Sequence, residues 1–108
     1  MSRFTIDDLA DIIRQRAQGS AGDSYTRKLL DKGAAHCARK MGEEAVETVI
    51  ATVLDNRDDF VNECADLMYH FLVLLQAKGV ALSEIEAALA ERTKMSGLAE
   101  KASRTAQS

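Results

Sequence analysis

The chain has 108 residues, 46% hydrophobic and 29% charged, with 14 Lys and Arg against 17 Asp and Glu and a net charge of -3. Those figures describe one globular domain, residues 1–108, rather than a disordered segment, and they carry no basic excess for nucleic acid. No run reaches the roughly 20 apolar residues of a membrane span, and the start MSRFTIDDLADII lacks a secretory layout, so no membrane partner and a cytoplasmic location are expected.

Proline is absent and aromatics are only 5%, which favours helix over sheet throughout. A first helix is expected from about Ile6 to Gln18, capped by Thr5, with Asp7 and Asp8 in its acid-favouring first turn. Residues 19–23 read as a loop, and Ser24 caps a short helix through Leu30. A longer helix should run from Ala34 to Leu54. Within it Val46, Val49, Ile50 and Val53 recur at i, i+3, i+4, i+7 and form one apolar stripe, expected to be its buried face. Gly42 costs this helix about 1 kcal/mol against Ala and hints at close approach by something.

Asp55-Asn56-Arg57 is a turn, and Asn56 caps a helix from about Arg57 to Lys78 that Gly79 ends. Phe60, Cys64, Leu67, Met68, Phe71, Leu72 and Leu75 give it the broadest apolar face, so it is the expected central helix. Ser83-Glu84-Ile85-Glu86 reads as a capping box opening a last helix to about Lys94. Residues after Gly97 are polar and expected to fray, which makes about 98–108 a tail. Both long helices carry more apolar girth than one protomer covers. An all-α bundle completed by homodimerisation follows.

Charge is segregated along the chain. From Ser24 to Gly42 there are five bases (Arg27, Lys28, Lys32, Arg39, Lys40) against Asp31; from Glu43 to Asp66 there are eight acids against Arg57. At about 100° per residue Glu44 and Glu47 lie 60° apart, Glu43 lies on the same stripe, and Glu63 and Asp66 form a second pair with His70 between them in angle. If the two helices pack antiparallel across the short turn, the pairs face each other. Carboxylates so placed repel unless a cation sits between them. Oxygen ligands point to a hard ion, Mg²⁺ or Mn²⁺, and four of them to more than one ion once substrate is bound. The bland alternative is a pair of solvated acidic faces.

Lys28, Lys32, Arg39 and Lys40 are candidates to bind phosphates, each with solvent exposure as the alternative. His70 either binds substrate or tunes a ligand, or is a core histidine satisfied by a carboxylate or carbonyl. His36 reads as surface. Tyr25 and Tyr69 read as packing residues with polar tips, and Met41, Met68 and Met95 as core or gap fillers. Cys37 and Cys64 have no CxxC spacing and are expected reduced; a zinc site from them with His36 and His70 is arithmetically open but poorly spaced.

Lys40-Met41-Gly42-Glu43-Glu44-Ala45-Val46-Glu47, followed by Glu63-Cys64-Ala65-Asp66-Leu67-Met68-Tyr69-His70, resembles the EExxE…ExxD signature of the all-α nucleoside triphosphate pyrophosphatases of MazG type. Ser24-Tyr25-Thr26-Arg27-Lys28-Leu29-Leu30 and the segment from Arg92 to Arg104 resemble the phosphoribosyl-ATP pyrophosphatase family, from Phe4 to about Arg104. Met41 stands where a smaller aliphatic is usual. The resemblance implies hydrolysis of phosphoribosyl-ATP to phosphoribosyl-AMP and pyrophosphate, the second step of histidine biosynthesis, with Mg²⁺ required, in a stand-alone form rather than a fusion. It implies Glu44, Glu47, Glu63 and Asp66 as metal ligands. Glu47 or Glu44 is then the candidate catalytic base, with Glu43 as a ligand, a supporting group or a surface acid. Two rivals accompany it: a house-cleaning pyrophosphatase of ordinary nucleoside triphosphates, and a helical dimerisation module without enzymatic activity.

Overall fold

The computed structural model describes residues 2–19, 24–94, 101, 102 and 104. All regular structure among these is helical: α1 (Ile6–Ala17), α2 (Tyr25–Asp31), α3 (Ala34–Leu54), α4 (Arg57–Lys78) and α5 (Leu82–Arg92). The expected loop at 20–23, the tail after Gly97 and Met95 lie outside the described residues, save 101, 102 and 104.

Local chemistry explains the boundaries. Thr5 Oγ1 accepts from the Asp8 N–H at 3.1 Å while the Asp8 carboxylate accepts from the Thr5 N–H at 2.9 Å, a reciprocal cap. Ser24 Oγ accepts from Arg27 N–H at 3.3 Å, and Asn56 Oδ1 from Asp59 N–H at 3.1 Å, so α2 and α4 begin where a side chain satisfies an orphan donor. Gly33, with φ 96° and ψ 168°, makes the elbow between α2 and α3 in a region closed to residues with a Cβ. The last helix starts earlier than expected. Ala81, not Ser83, is its N-cap, and the Glu84 carboxylate accepts from Ala81 N–H at 2.8 Å. The left-handed Gly79 lets Val80 N–H reach back to Leu75 C=O at 2.9 Å. After that closure Ala81, in extended geometry, leads the chain into α5.

The most extensive helix pairing joins α3 and α4 across the two-residue turn Asp55-Asn56, which makes them an antiparallel hairpin. Asp55 closes α3 in the left-handed region at φ 57°, which a short polar side chain tolerates. The core lies at one end of this hairpin. Ile13 of α1, Leu29 of α2, Cys37 of α3 and Leu72, Val73 and Leu75 of α4 are buried together. Each large aliphatic so buried is worth about 1.5–3 kcal/mol. Cys37 Sγ–H donates to the Leu29 carbonyl at 3.3 Å, and burial pushes the thiol's pKa up, so it is an inert core donor.

The other end of the hairpin overturns two expectations. Val46, Val49, Ile50 and Val53 face outward with Leu54, and Ala51 is the buried residue there. Phe60, Val61 and Met68 of α4 are also exposed, so the apolar face of the central helix is buried only in its second half. At about 100° per residue Val53 lies half a turn from Glu44. Within the protomer, α3 therefore turns Glu44 toward α4 and its aliphatic stripe away. At Gly42 a Cβ would meet nothing within 4 Å, so the expected close approach does not occur among the described residues.

Candidate metal centre and adjoining basic groove

The antiparallel hairpin sets Glu44 opposite Glu63 and Asp66. One carboxylate oxygen from each lies within 4.8 Å of the others, the only such set of three acidic, His or Cys ligands among the described residues. The i, i+3 spacing of Glu63 and Asp66 puts both on the α4 face that meets α3. Glu63 and Glu44 are half-buried and Asp66 is exposed, so the cluster opens to solvent on one side. Glu63 Oε2 is sealed from water with no hydrogen-bond donor. Burial, followed by the Glu44, Asp66 and Glu47 carboxylates, holds the Glu63 carboxyl above the ordinary range. A sealed acceptor among like charges with only oxygen donors around it fits a hard dication.

Glu47 stands apart from this set of three. It is exposed, yet close enough for its charge to act on Glu63. Its 60° offset from Glu44 carries it to the solvent rim of the same stripe.

The basic residues converge on a separate feature. A groove of about 500 Å³ between α2 and α3 is lined by Tyr25, Lys28, Lys32, Arg39 and Lys40, with His36 on its wall. Its acids are Asp31 and Glu43. Asp31 pairs with Arg27 at 3.1 Å, and Arg27 also donates to the Ala17 carbonyl, pinning α1 to α2. Glu43 accepts from Lys40 Nζ at 3.2 Å and lies 3.7 Å from Arg39 Nε. Glu43 thus faces the cations rather than the acidic cluster. Its hydrogen bond and charge raise the pKa of Lys40. His36 is half-buried rather than fully exposed. Desolvation, then the charges of Lys32, Arg39 and Lys40, lower its pKa.

His70 sits between the two features. It is 6% exposed, one turn past Asp66. The Tyr25 and Tyr69 rings meet it edge-on at 6.2 and 5.1 Å. Its Nδ1 is buried without a partner, so the carboxylate or carbonyl that would satisfy a core histidine is not supplied at that atom. Burial, then Lys40, depress its pKa and favour the neutral ring. Tyr69 bonds its hydroxyl to Thr26 Oγ1, which is fully buried, and so packs with its polar tip satisfied. Tyr25 differs: it stacks on Tyr69 at 6.4 Å but remains largely exposed on the groove rim. Its i, i+3 spacing from Lys28 was the sequence signal that both share a face of α2.

The family described as Phosphoribosyl-ATP pyrophosphohydrolase matches residues 6–93. The Phosphoribosyl-ATP pyrophosphatase 1 of Bradyrhizobium diazoefficiens is 65% identical over 104 residues, covering 96% of this chain and 98% of its own. The Phosphoribosyl-ATP pyrophosphatase of Nitrobacter winogradskyi is 64% identical, covering 96% of this chain and 90% of its own, and that of Agrobacterium fabrum is 48% identical, covering 96% and 97%. The chain belongs to the phosphoribosyl-ATP pyrophosphohydrolase family.

Proposed function

We propose that this chain hydrolyses phosphoribosyl-ATP to phosphoribosyl-AMP and pyrophosphate, the second step of histidine biosynthesis, in the cytoplasm. The observation that supports this reading most is the convergence of Glu44, Glu63 and Asp66 around a sealed, donorless Glu63 oxygen, in a chain of this family. These three carboxylates would hold Mg²⁺, with Mn²⁺ as a substitute. When bound, such an ion polarises a phosphoanhydride, offsets charge on the leaving pyrophosphate and lowers the pKa of water. Glu47, on the solvent rim of the cluster, would add a fourth carboxylate and, of Glu47 and Glu44, is the exposed one that would take the proton of the attacking water. Lys40, half-buried one turn before Glu44, sets a positive charge beside the site where phosphates arrive. His70, its ring kept neutral by burial against Tyr25 and Tyr69, would border the substrate between the cluster and the groove.

The active unit in this reading is a homodimer. Val46, Val49, Ile50, Val53, Leu54 and Phe60 are exposed apolar side chains on the hairpin. The radius of gyration of 16.4 Å exceeds the roughly 13 Å of a compact domain this long. A second copy packing hairpin to hairpin covers those side chains. No helix among the described residues is long and apolar enough to cross a membrane.

Pyrophosphate release from phosphoribosyl-ATP tests the activity. Release should require Mg²⁺ and stop in excess chelator. Undiminished release in chelator removes the metal role, and no release from this substrate removes the reading.

A further inference from the structure

The acidic cluster and the basic groove are separate surfaces, and the substrate proposed above has two phosphate-bearing ends. One end is the triphosphate that is cut; the other is the phosphomonoester of the phosphoribosyl group. Resting on that reading, we propose that the groove between α2 and α3 is the recognition site for the remote phosphoribosyl phosphate, with Lys28 and Lys32 as its principal anion-binding groups.

Four observations carry the assignment. First, the groove's charges are unequally engaged. Arg39 and Lys40 share Glu43, and Asp31 is taken by Arg27. Lys28 and Lys32 form no ion pair among the described residues, though they stand one turn apart on the same wall. These two ammonium groups sit at the C-terminal end of α2, where the helix dipole favours cations and offsets part of their mutual repulsion, and neither has an anion among the described residues. Second, the positive charge is concentrated in one place: His36 lines the same groove as Lys28, Lys32, Arg39 and Lys40, and its pKa is lowered by desolvation and then by Lys32, Arg39 and Lys40. Third, the groove is offset from the cluster: His36 precedes Glu44 by two turns, a rise of about 12 Å along α3. A phosphate held against Lys28 and Lys32, beside His36, therefore lies away from Glu44, and the groove's own acids, Asp31 and Glu43, are engaged by Arg27 and by Arg39 and Lys40. Fourth, Tyr25 forms the rim between the two and rests against His70 and Tyr69, which gives a sugar a flat apolar face between the phosphate and the reaction centre.

This division of labour separates chemistry from choice of substrate. The cluster acts on a triphosphate that any nucleoside triphosphate carries. The groove takes a dianion that only a phosphoribosylated nucleotide offers, and it needs no metal to do so. Glu43 keeps Arg39 and Lys40 in place in the free protein, while Lys28 and Lys32 wait without a counter-charge.

Ribose 5-phosphate is the probe. It is titrated into the intact protein in excess chelator and followed by amide NMR. Shifts should concentrate at Lys28, Lys32 and His36 and leave Glu63 and Asp66 unmoved. Lys32→Gln should weaken binding about tenfold, and Lys32→Arg should largely retain it. In turnover, Lys28→Gln and Lys32→Gln should each raise KM for phosphoribosyl-ATP about tenfold. Competitive inhibition by ATP, which lacks the second phosphate end, should stay near the wild-type value in both. Equal losses for ATP and phosphoribosyl-ATP would assign the groove to the triphosphate and overturn the proposal. So would ribose 5-phosphate binding that appears only with Mg²⁺, survives both substitutions, or is matched by inorganic phosphate. A protein that releases no pyrophosphate yet binds ribose 5-phosphate in this groove would refute the catalytic reading and leave the subsite standing.

Discussion

Replacing Val53 by Asp should split the proposed dimer while leaving each protomer folded. Val46, Val49, Val53 and Leu54 are 58%, 61%, 77% and 71% exposed in the single chain. Fully burying such a side chain is worth about 1.5–3 kcal/mol, so covering the exposed fraction of each returns about 1–2 kcal/mol. Those four side chains contribute roughly 4–8 kcal/mol per protomer and twice that in a symmetric pair. This is of the size of the roughly 4–15 kcal/mol that association costs. Val53→Asp removes one aliphatic share from each copy and places an unpaired carboxylate in each half of the interface, at several kcal/mol. The dissociation constant should rise at least about a thousandfold. Sedimentation velocity across a wide concentration range reads this directly, with circular dichroism as the folding control, because Val53 contributes nothing to the buried core. A wild-type chain that sediments as a monomer at high concentration, or a variant that dimerises like wild type, refutes the argument.

The metal cluster makes a prediction about pH. Glu63 titrates near 4.5 when unfolded and at higher pH in the fold, so the metal-free folded state holds that proton more tightly. Its contribution is fully present below about 4.5 and is lost as pH rises through the folded value. Glu63→Gln should therefore raise the thermal midpoint in chelator at neutral pH and abolish the midpoint increase produced by Mg²⁺ in wild type; a variant still stabilised by Mg²⁺ contradicts the ligand role. Glu47→Gln, which keeps volume and removes charge on an exposed residue, should lose about two or more orders of magnitude in kcat with helical content intact, as expected for a general base. Retained activity at saturating Mg²⁺ excludes it. Gly33→Ala should cost about 1–3 kcal/mol of stability, since φ 96° is strained for any Cβ although the space is open. A denaturation midpoint equal to wild type would show that the elbow relaxes freely.

Much of the architecture was legible because it is written in local chemistry. Asn56, Gly79 and the 3.6-residue periodicity place α3 and α4 at the residues where they are found, and the short turn between them makes the antiparallel hairpin inevitable. Angular arithmetic then brings Glu44, Glu63 and Asp66 together. It does not bring Glu47 into the same tight set, because a 60° offset that is negligible on a helical wheel becomes the difference between interface and rim. The aliphatic stripe of α3 shows the complementary limit. Periodicity reveals that Val46, Val49, Ile50 and Val53 share a face; whether α4 or another surface covers it depends on which face the hairpin turns inward. His70 and Tyr25 were harder still. Their surroundings come from α2 meeting α4 through the Gly33 elbow, a contact between elements distant in sequence. The start of α5 was missed for a local reason: the closure at Gly79 and Val80 favours Ala81 and Glu84 over the equally plausible Ser83 and Glu86.

The most direct measurement is paramagnetic. Mn²⁺ titrated into the isotope-labelled protein should broaden the resonances around Glu44, Glu63 and Asp66 first, at low stoichiometry, with Mg²⁺ reversing the effect and Glu44→Gln weakening it. Broadening spread evenly over Asp7, Asp8, Asp58 and Asp59 as well, with no preference for the hairpin interface, would mean that these carboxylates hold no ion in common.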